Sequence, residues 1–292
     1  MREPLGTDPE AYKLKARNNS GNKERNTACS RRVAAVLLSM LMLLSVVMLT
    51  AAQVSAAPTQ AAQARTGTAK KTVIVLDPGH GGTQGDDLGA VYGQYAEKAM
   101  TLHLAKLVKA ELELYDNVEV HLTREADVPV SIYQRVQFAK AKNADLLYSI
   151  HFNVAPEHDR TGSEVYISAD PAFHDQEAAL AEAQLSNLTF FANIPRRGIF
   201  TRVGKNGDYY GIIRYATQAG MPAVIVEHLF IDQAPDRKLM EQENIYLKLA
   251  HADATTIAMH QKLKSTRLGI DFSNIVLVPG VSTESDLWKY SR

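Results

Sequence analysis

Two histidines and two glutamates in this sequence stand where strands or a helix are expected to begin or end. His80 and His151 each follow a short apolar run, Glu227 closes a third run, and Glu97 opens a segment with helical spacing. Two imidazoles and one carboxylate are typical ligands of a catalytic zinc site that keeps positions open for water and substrate. A further carboxylate beside such a site can take a proton from the water and pass it to a leaving amine. Glu227 fits that role, so the four residues together predict hydrolysis of an amide.

His80 lies in the segment DPGHGG at residues 77–82, just after the apolar run at residues 73–76. Proline and glycine end that run sharply, so the imidazole is expected beyond the carboxyl end of a strand, where ligands of open α/β sheets bind. Taken alone, the segment is more typical of a glycine-rich turn with a surface histidine. It is not a phosphate loop, because no Lys-Ser or Lys-Thr pair follows at the required spacing. The second histidine and the two carboxylates in comparable places favour the functional interpretation.

Glu97 is in phase with the apolar stripe of a predicted helix that carries Met100, Leu104 and Leu107. A carboxylate that faces a core needs a partner, because burial of an unpaired charge is costly. The alternative is an acid that is favourable at the amino end of a helix. That alternative explains the acid but not its inward direction.

The elements that position these residues alternate between strands and helices. Short runs rich in apolar residues predict strands at residues 73–76, 118–122, 146–150, 165–167 and 223–226. Helices are predicted from about residue 97, from a Ser131 cap to about residue 143, and over residues 176–193 and 245–263. This alternation predicts an α/β fold of three layers, with a mostly parallel or mixed sheet and helices on both faces. One edge of that sheet is expected to collect the four residues.

The amino-terminal region differs from the rest of the chain. Residues 1–32 carry a basic excess and are predicted to stay in the cytoplasm. Residues 33–56 are uncharged and largely apolar, which is typical either of a signal peptide cleaved after Ala56 or of a retained membrane anchor. Residues 57–71 predict a flexible linker. The catalytic domain is expected at residues 72–263 and is exported in either case, whereas residues 264–292 have no predicted role.

The composition is that of an ordinary globular protein. Of the 292 residues, 46% are hydrophobic, and the formal net charge is zero. The zero balance argues against a nucleic-acid-binding protein, whose surface would carry a basic excess. Cys29 is the single cysteine and precedes the apolar stretch, so the exported part has no internal disulfide. The sequence leaves the oligomeric state open.

From residue 73 to about residue 263 the chain resembles the zinc-dependent N-acetylmuramoyl-L-alanine amidases of the Amidase_3 type. The matching pieces are DPGHGG at 77–82, EK at 97–98, SIHFN at 149–153 and MPAVIVE at 221–227. Each piece is short, but their order and spacing match as well.

The resemblance implies zinc held by His80, Glu97 and His151, with Glu227 as the catalytic acid and base. It also implies that zinc-activated water cleaves the amide bond between N-acetylmuramic acid and L-alanine in peptidoglycan. Peptidoglycan or muropeptides would then be the partners, the exported domain would face the cell wall, and an uncleaved amino-terminal segment would hold it at the membrane.

Two further site residues come from the resemblance. Arg214 matches a position where the family often has an arginine near the site, where it would bind a substrate carboxylate or the developing oxyanion. A surface ion pair is the alternative for Arg214. Asn153, which closes the SIHFN segment, is assigned to substrate binding.

The chain departs from the family at Phe152, His228 and Leu229, where family members usually carry small residues or glycine. Bulk at these positions is expected to narrow the cleft or to shift substrate preference. His228 should point away from Glu227 if the strand continues, because side chains alternate between the two faces. We therefore do not count His228 as a ligand.

Two other functions fit the same residues. A zinc peptidase acting on peptidoglycan stem peptides would use the same metal chemistry. A non-catalytic peptidoglycan-binding relative would keep the fold alone, although the presence of all four residues counts against it.

Overall fold

The computed structural model describes residues 70–83, 87–155, 157, 159–280 and the backbone of 284–286. The chain divides into two units after residue 66, and every described residue belongs to the second unit, 67–292. Across the described ranges, no helix combines the length and the apolar character needed to cross a membrane. The predicted cytoplasmic segment, the apolar stretch and almost all of the linker lie outside the described residues.

Strands in the described part of the chain form one large sheet and two small hairpins. In chain order they are β1 (Thr72–Pro78), β2 (Val91–Tyr92), β3 (Tyr95–Ala96), β4 (Val118–Leu122), β5 (Leu146–Asn153), β6 (Ser163–Ile167), β7 (Arg196–Gly204), β8 (Gly207–Asp208), β9 (Ala223–Phe230), β10 (Lys264–Ser265), β11 (Ile270–Asp271) and β12 (Glu284–Asp286). The large sheet has the order β12-β7-β6-β9-β5-β1-β4, with β8 paired to β7. β2 pairs with β3, and β10 pairs with β11.

The large sheet is mixed, as the sequence predicts. Neighbouring strands along its main path run parallel, except for the antiparallel pair β6 and β9. The central strands β1, β5 and β9 are covered on both faces, which explains their nearly continuous apolar runs. Ile74 and Val75 of β1, for example, point to opposite faces and are both fully buried.

Helices cover both faces of this sheet. They are α1 (Glu97–Leu112), α2 (Ile132–Ala141), α3 (His174–Ala192), α4 (Gly211–Gln218), α5 (Ala234–Met240) and α6 (Ile245–His260). Leu104 of α1, Leu180 of α3 and Leu249 of α6 share the core on one face. Val136 of α2 and Ile213 of α4 share the core on the other face. The predicted three-layer α/β fold is confirmed, and the carboxyl ends of β1, β5 and β9 remain open at one edge.

The sequence pattern predicts the ends of several helices. Ser131 caps α2 through a reciprocal pair of bonds with Gln134, which satisfies two otherwise unpaired backbone donors. Asn193 ends α3 in a left-handed conformation with φ of 56°, a role that asparagine tolerates better than most residues. Between α3 and β9 the sequence predicts fewer of the elements that the structure contains. The pattern does not predict β7, β8 or α4, because the apolar run of β7 is short and α4 has only 8 residues.

β9 also corrects a sequence expectation. The predicted strand ends at Glu227, but β9 continues to Phe230, so Glu227 lies inside the strand. His151 pairs with Glu227 and Asn153 pairs with Phe230, so β9 holds one extra residue beside this part of β5. Such a bulge bends a strand and redirects its side chains.

Residues beyond 263 contact the same unit. The backbone N–H of Asp116 donates to the carbonyl of Lys264 at 2.8 Å, and Ser265 Oγ donates to the carbonyl of Leu114 at 2.6 Å. The ring of Phe272 stacks on Tyr115 with centroids 6.4 Å apart. β12 then extends the large sheet beside β7. The segment with no predicted role therefore completes one sheet edge.

Candidate metal centre

Two histidines and one glutamate bring their side-chain ligand atoms together at the open edge of the sheet. Nε2 of His80 lies 3.2 Å from Oε2 of Glu97, and Nδ1 of His151 lies 3.0 Å from Oε1 of the same carboxylate. The two imidazole rings meet at 83° with centroids 4.9 Å apart. One ligand atom from each residue fits within a cluster whose members are at most 4.8 Å apart. The structure thus brings together the three residues selected from the sequence.

His80 is held by contacts on both sides of its ring. Its backbone is left-handed, with φ of 61°, which is uncommon for a residue that has a Cβ. Nδ1 lies 2.7 Å from Oδ1 of Asp87, so a proton kept on Nδ1 leaves Nε2 as the ring nitrogen that could bind a metal. Gly89 lies so close that a Cβ there would be 2.6 Å from the imidazole. Burial alone would lower the pKa of His80, but Glu97 and Asp87 raise it.

Two buried arginines fix the backbone that carries His80. Nη2 of Arg124 donates to the carbonyl of Gly79 at 2.9 Å. Nη2 of Arg135 donates to the carbonyl of His80 at 2.8 Å, and its Nη1 donates to Asp77 at 2.7 Å. Burial would raise the pKa of Asp77, but Arg135 and hydroxyl donors hold it below its usual range, so the buried arginine keeps a charged partner.

Glu97 is the first residue of α1, and its carboxylate faces the two histidines. The backbone N–H of Ala90 donates to Oε2 at 2.8 Å, and the N–H of Phe152 donates to Oε1 at 3.1 Å. Burial would raise the pKa of Glu97, but His151 and His80 lower it well below its usual range. The inward direction of this acid is therefore explained by four partners of its carboxylate, namely the two imidazoles and the two backbone N–H groups.

Glu227 borders the same cavity from β9, opposite His151. Its Oε2 is enclosed and has no hydrogen-bond partner among the described residues. Burial, followed by the charges of Glu97 and Glu164, raises the pKa of Glu227 far above its usual range. These surroundings therefore favour the protonated form of the Glu227 carboxyl group more than water does.

Asn153 also borders the cavity, but both ends of its amide have partners. Nδ2 donates to Glu164 at 3.1 Å, and Oδ1 accepts from the N–H of Val154 at 2.8 Å. Glu164 additionally accepts from the Tyr166 hydroxyl at 3.0 Å and from Nε of Arg197. Asn153 thus connects the cavity wall to a buried carboxylate that lies opposite Glu227.

Arg214 lies away from this cluster. Its Nη1 donates to the carbonyls of Asp208 at 2.6 Å and Tyr209 at 3.0 Å, and its guanidinium lies 5.1 Å from the centre of the Tyr215 ring. It borders a separate cavity beside β8. The structure therefore does not bring Arg214 together with the other site residues, and a direct catalytic role for it stays a prediction.

The cavity beside the cluster measures about 690 Å³, which is within the range of small-molecule sites. Apolar side chains, including Ile132 and Val154, form part of its wall. The donor set of two imidazole nitrogens and one carboxylate, open to the cavity, is the set that catalytic zinc sites use. The residues present thus fit a zinc ion, with Glu227 close by but outside the cluster.

Comparison with known proteins decides the family. Residues 74–259 match the family described as N-acetylmuramoyl-L-alanine amidase, Amidase_3. This chain belongs to that family. The resemblance inferred from four short motifs is confirmed, and so is the assignment to the amidases that act on peptidoglycan.

Individual relatives agree with the family match. The amidase is 33% identical over 196 residues to the endolysin of Bacillus phage SPP1, covering 66% of this chain and 67% of the endolysin. It is 29% identical over 194 residues to the sporulation-specific N-acetylmuramoyl-L-alanine amidase of Bacillus subtilis, covering 66% and 69%. It is 30% identical over 174 residues to the probable cell wall amidase LytH of Staphylococcus saprophyticus, covering 60% of this chain but only 53% of LytH.

A solved structure supports the same fold. The catalytic domain of CwlV, an N-acetylmuramoyl-L-alanine amidase from Bacillus (Paenibacillus) polymyxa, superposes with a TM-score of 0.57 at 29% identity. The match covers 66% of this chain and 99% of that domain. The described unit of the amidase therefore corresponds to a complete catalytic domain.

Sequence reasoning missed Asp87, Arg124 and Arg135. Asp87 gives no pattern, because it lies in a polar loop 7 residues after His80. Arg135 gives a weak signal, since it precedes Val136 and Ala139 on a helix whose buried positions include all three. A charged residue at a buried helix position should have suggested a buried ion pair.

Proposed function

We propose that this amidase uses a zinc ion held by His80, Glu97 and His151 to hydrolyse the amide bond between N-acetylmuramic acid and L-alanine. The observation that supports the proposal is a single cavity lined by the three ligand groups and by the partly buried carboxyl group of Glu227. This arrangement supplies what amide hydrolysis needs, namely an activated water and a group that transfers its proton.

The metal ligands need a fixed geometry, which the chain itself provides. When bound, zinc lowers the pKa of a coordinated water to about 7 and polarises the scissile carbonyl. Asp87 fixes the orientation of His80, as carboxylates commonly do for metal-bound histidines. The N–H groups of Ala90 and Phe152 fix the Glu97 carboxylate.

Glu227 moves the proton in this proposal. Its ionised carboxylate accepts a proton from the attacking water and then donates it to the nitrogen of L-alanine as the amide bond breaks. The raised pKa makes the Glu227 carboxylate a better acceptor for the proton of the water than a carboxylate in solvent would be.

Asn153 and Arg214, the other two predicted site residues, have different roles in the proposal. We assign Asn153 to the substrate-binding wall, because it borders the cavity two residues after His151. Arg214 acts indirectly, since it holds the carbonyls of Asp208 and Tyr209 while the next residue, Tyr210, borders the cavity.

The place of action follows from the substrate and from residues 1–56. Peptidoglycan or muropeptides lie outside the cytoplasmic membrane, so the catalytic unit must be exported. The uncharged stretch at residues 33–56 behind a basic segment provides for export, either as a cleaved signal peptide or as an anchor. Membrane fractionation of the full-length chain distinguishes the two, because only an anchored protein sediments with membranes.

The function is tested by product analysis. Full-length protein loaded with zinc is incubated with purified peptidoglycan, and soluble products are analysed by mass spectrometry. We expect free stem peptides with an N-terminal L-alanine and glycan with unsubstituted lactyl carboxyl groups. Shortened stem peptides would indicate a peptidase instead, and binding without products would indicate a non-catalytic protein.

The zinc requirement is tested by metal content. We expect chelation to abolish hydrolysis and added zinc to restore it, and His151→Ala to lose bound zinc. His121→Ala is the matched control, because His121 pairs with Glu119 on β4, outside the cluster. If wild-type protein binds no zinc after reconstitution, the metal assignment is wrong.

A further inference from the structure

A second buried histidine lies directly behind the metal ligand His151. His228 is 0% exposed and follows Glu227 in β9. Its Nδ1 lies 3.1 Å from the carbonyl oxygen of His151. Its Nε2 lies 3.1 and 3.0 Å from the two carboxylate oxygens of Asp253 in α6. The side chain thus connects the backbone of His151 to helix α6.

The bulge in β9 explains why His228 reaches that carbonyl. β9 carries one extra residue beside His151 and Asn153, so the regular strand pairing is interrupted there. A buried carbonyl left by such an interruption needs a donor, because an unpaired backbone group is costly to bury. The imidazole of His228 supplies one.

Both ring nitrogens of His228 face acceptors, a carbonyl oxygen and a carboxylate. Nδ1 donates to the His151 carbonyl when it carries a proton, and Asp253 accepts from Nε2 when that nitrogen is protonated as well. Gln184 in α3 also donates to Asp253, at 2.6 Å. Asp253 in α6 therefore connects His228 to a second helix.

The peptide group between His151 and Phe152 is held at both ends. Its carbonyl oxygen accepts from His228, and its N–H donates to Oε1 of Glu97. Rotation of this peptide would break both bonds at once. Because the same peptide determines where the His151 imidazole points, its orientation sets the distance between two of the three ligand groups.

We propose that His228 is a positioning residue for the metal centre, and that its bond to the His151 carbonyl holds the His151 ring in the orientation that binds zinc. The inference rests on the proposed metal site. It goes beyond that site in assigning a function to a buried pair that contributes none of the proposed metal ligands and is not part of the cavity wall. The competing interpretation is that His228 and Asp253 only fill the core.

Single substitutions do not separate these interpretations. His228→Leu would leave the Asp253 carboxylate without its buried partner, and loss of one member of a buried pair is strongly destabilising. Replacement of both members by neutral groups of similar size is often tolerated. We therefore compare H228L/D253N with H228N/D253N, in both of which the amide introduced at position 253 still offers an oxygen to Gln184.

The two double variants differ in one donor. An asparagine at position 228 places an amide N–H close to where Nδ1 of His228 lies, whereas leucine packs better but cannot donate. We expect H228L/D253N to lose about tenfold or more in zinc affinity, as is usual when a group that orients a metal ligand is removed. H228N/D253N should bind zinc within about threefold of wild type, although its smaller side chain makes it the less stable of the two.

Zinc affinity is measured by competition with a chromophoric chelator, and stability by chemical denaturation of the zinc-free protein. Amide hydrogen exchange of Phe152 in the zinc-free protein provides a readout that needs no metal. We expect faster exchange in the leucine variant than in the asparagine variant. Asn187→Ala is the control, because Asn187 bonds Thr256 at 2.9 Å across the same pair of helices without reaching β9.

The proposal is supported if H228N/D253N binds zinc more tightly than H228L/D253N although it is the less stable of the two. Equal zinc affinity in the two double variants would overturn it. A zinc affinity that falls in proportion to stability across both double variants and Asn187→Ala would overturn it as well. Asp253→Asn alone keeps the bond from Nδ1 to His151, so a tenfold loss of zinc affinity there also contradicts the proposal. A wild-type protein that binds no zinc refutes the metal assignment instead, which is a distinguishable failure.

Discussion

At the scale of single residues, Glu227 and Glu177 both have a carboxyl pKa that burial raises, but the two groups lie in different surroundings. Glu227 borders the site cavity with an enclosed oxygen that has no hydrogen-bond partner in the described chain. Glu177 in α3 accepts from the backbone N–H groups of Ser168 at 2.6 Å and Ala223 at 2.9 Å, far from the cavity. A raised pKa alone therefore does not identify a catalytic acid, and we propose Glu227 rather than Glu177 because Glu227 lies beside the cluster of His80, Glu97 and His151.

Glu227→Gln is expected to reduce the rate of amide hydrolysis by on the order of a hundredfold or more, because glutamine cannot transfer the proton. Zinc content and the unfolding transition should stay close to those of wild type, since size and shape are conserved. The measurement is the release of stem peptides by zinc-loaded protein, together with metal analysis.

The control for that substitution is Glu125→Gln, which alters an exposed glutamate. A zinc-loaded Glu227→Gln protein that hydrolyses peptidoglycan at the wild-type rate refutes the proton-transfer role. Loss of zinc together with activity would make Glu227 a metal ligand.

Glu177 is expected to make stability depend on pH. Burial raises its pKa from 4.5 to about 7, so the native state binds the proton more tightly than the unfolded chain. Its contribution is fully present below pH 4.5 and is lost as pH rises toward about 7, in total by about 3 kcal/mol. In zinc-free protein, the free energy of unfolding of Glu177→Gln relative to wild type should therefore increase across that range.

Glu182→Gln is the matched variant on the same helix. Glu182 pairs with Arg196, which lowers the pKa of the carboxyl, so its effect lies below pH 4.5. A Glu177→Gln difference that stays constant between pH 4.5 and 7 would contradict the raised pKa.

At the scale of elements, the turn after β1 is packed tightly against β5. Gly79 lies so close to the ring of His151 that a Cβ there would be 2.5 Å from Nε2. Thr101 of α1 donates to the carbonyl of Gly79 at 2.9 Å, and Arg124 donates to the same oxygen. The close approach of β1, β5 and α1 places His80 beside His151. Residue 79 must be glycine, because the His151 ring leaves no space for a Cβ.

Gly79→Ala is expected to displace the His151 ring and to weaken zinc binding by about tenfold or more. The backbone cannot easily move to make room for the methyl group, because Thr101 and Arg124 hold the carbonyl of residue 79. The zinc dissociation constant and the catalytic rate should both deteriorate.

Gly204→Ala provides the comparison, since a Cβ at Gly204 in β7 would meet its nearest neighbour at an ordinary 3.4 Å. That variant should bind zinc like wild type. Unchanged zinc affinity in Gly79→Ala would mean that the turn after β1 adapts to the added methyl group.

At the scale of the whole molecule, the three-layer arrangement determines where chemistry is possible. Helices cover both faces of the sheet, so polar groups accumulate at the edge where β1, β5 and β9 end. β12 forms the edge of the sheet opposite β4, whereas Ser265 and Phe272 pack beside the start of β4. For the amino-terminal residues 1–56, export rather than catalysis stays the prediction from sequence.

A reporter enzyme that is active only outside the cytoplasm, fused after Arg65, is expected to be active in cells. The uncharged stretch at residues 33–56 is the reason, because it follows a basic segment that we expect to remain in the cytoplasm. The same fusion without residues 33–56 should be inactive. Activity of a cytoplasm-specific reporter at the same position would refute export.

The sequence by itself determined the class of fold and the main candidates for chemistry. Strand and helix patterns are local, and buried parallel strands produce continuous apolar runs that are easy to recognise. His80, His151 and Glu227 were recognisable because each interrupts or follows such a run. Glu97 was recognisable because its helical phase conflicts with its charge.

Only the tertiary structure decided which distant groups support these residues. Asp87 and Arg135 contact His80 through chain separations that no local pattern encodes. The direction of a side chain depends on strand register and helix phase, so a one-residue bulge in β9 determines that His228 meets His151. The direction of the Arg214 side chain could not be predicted either, because the short helix α4 that carries it has too few residues to show its phase.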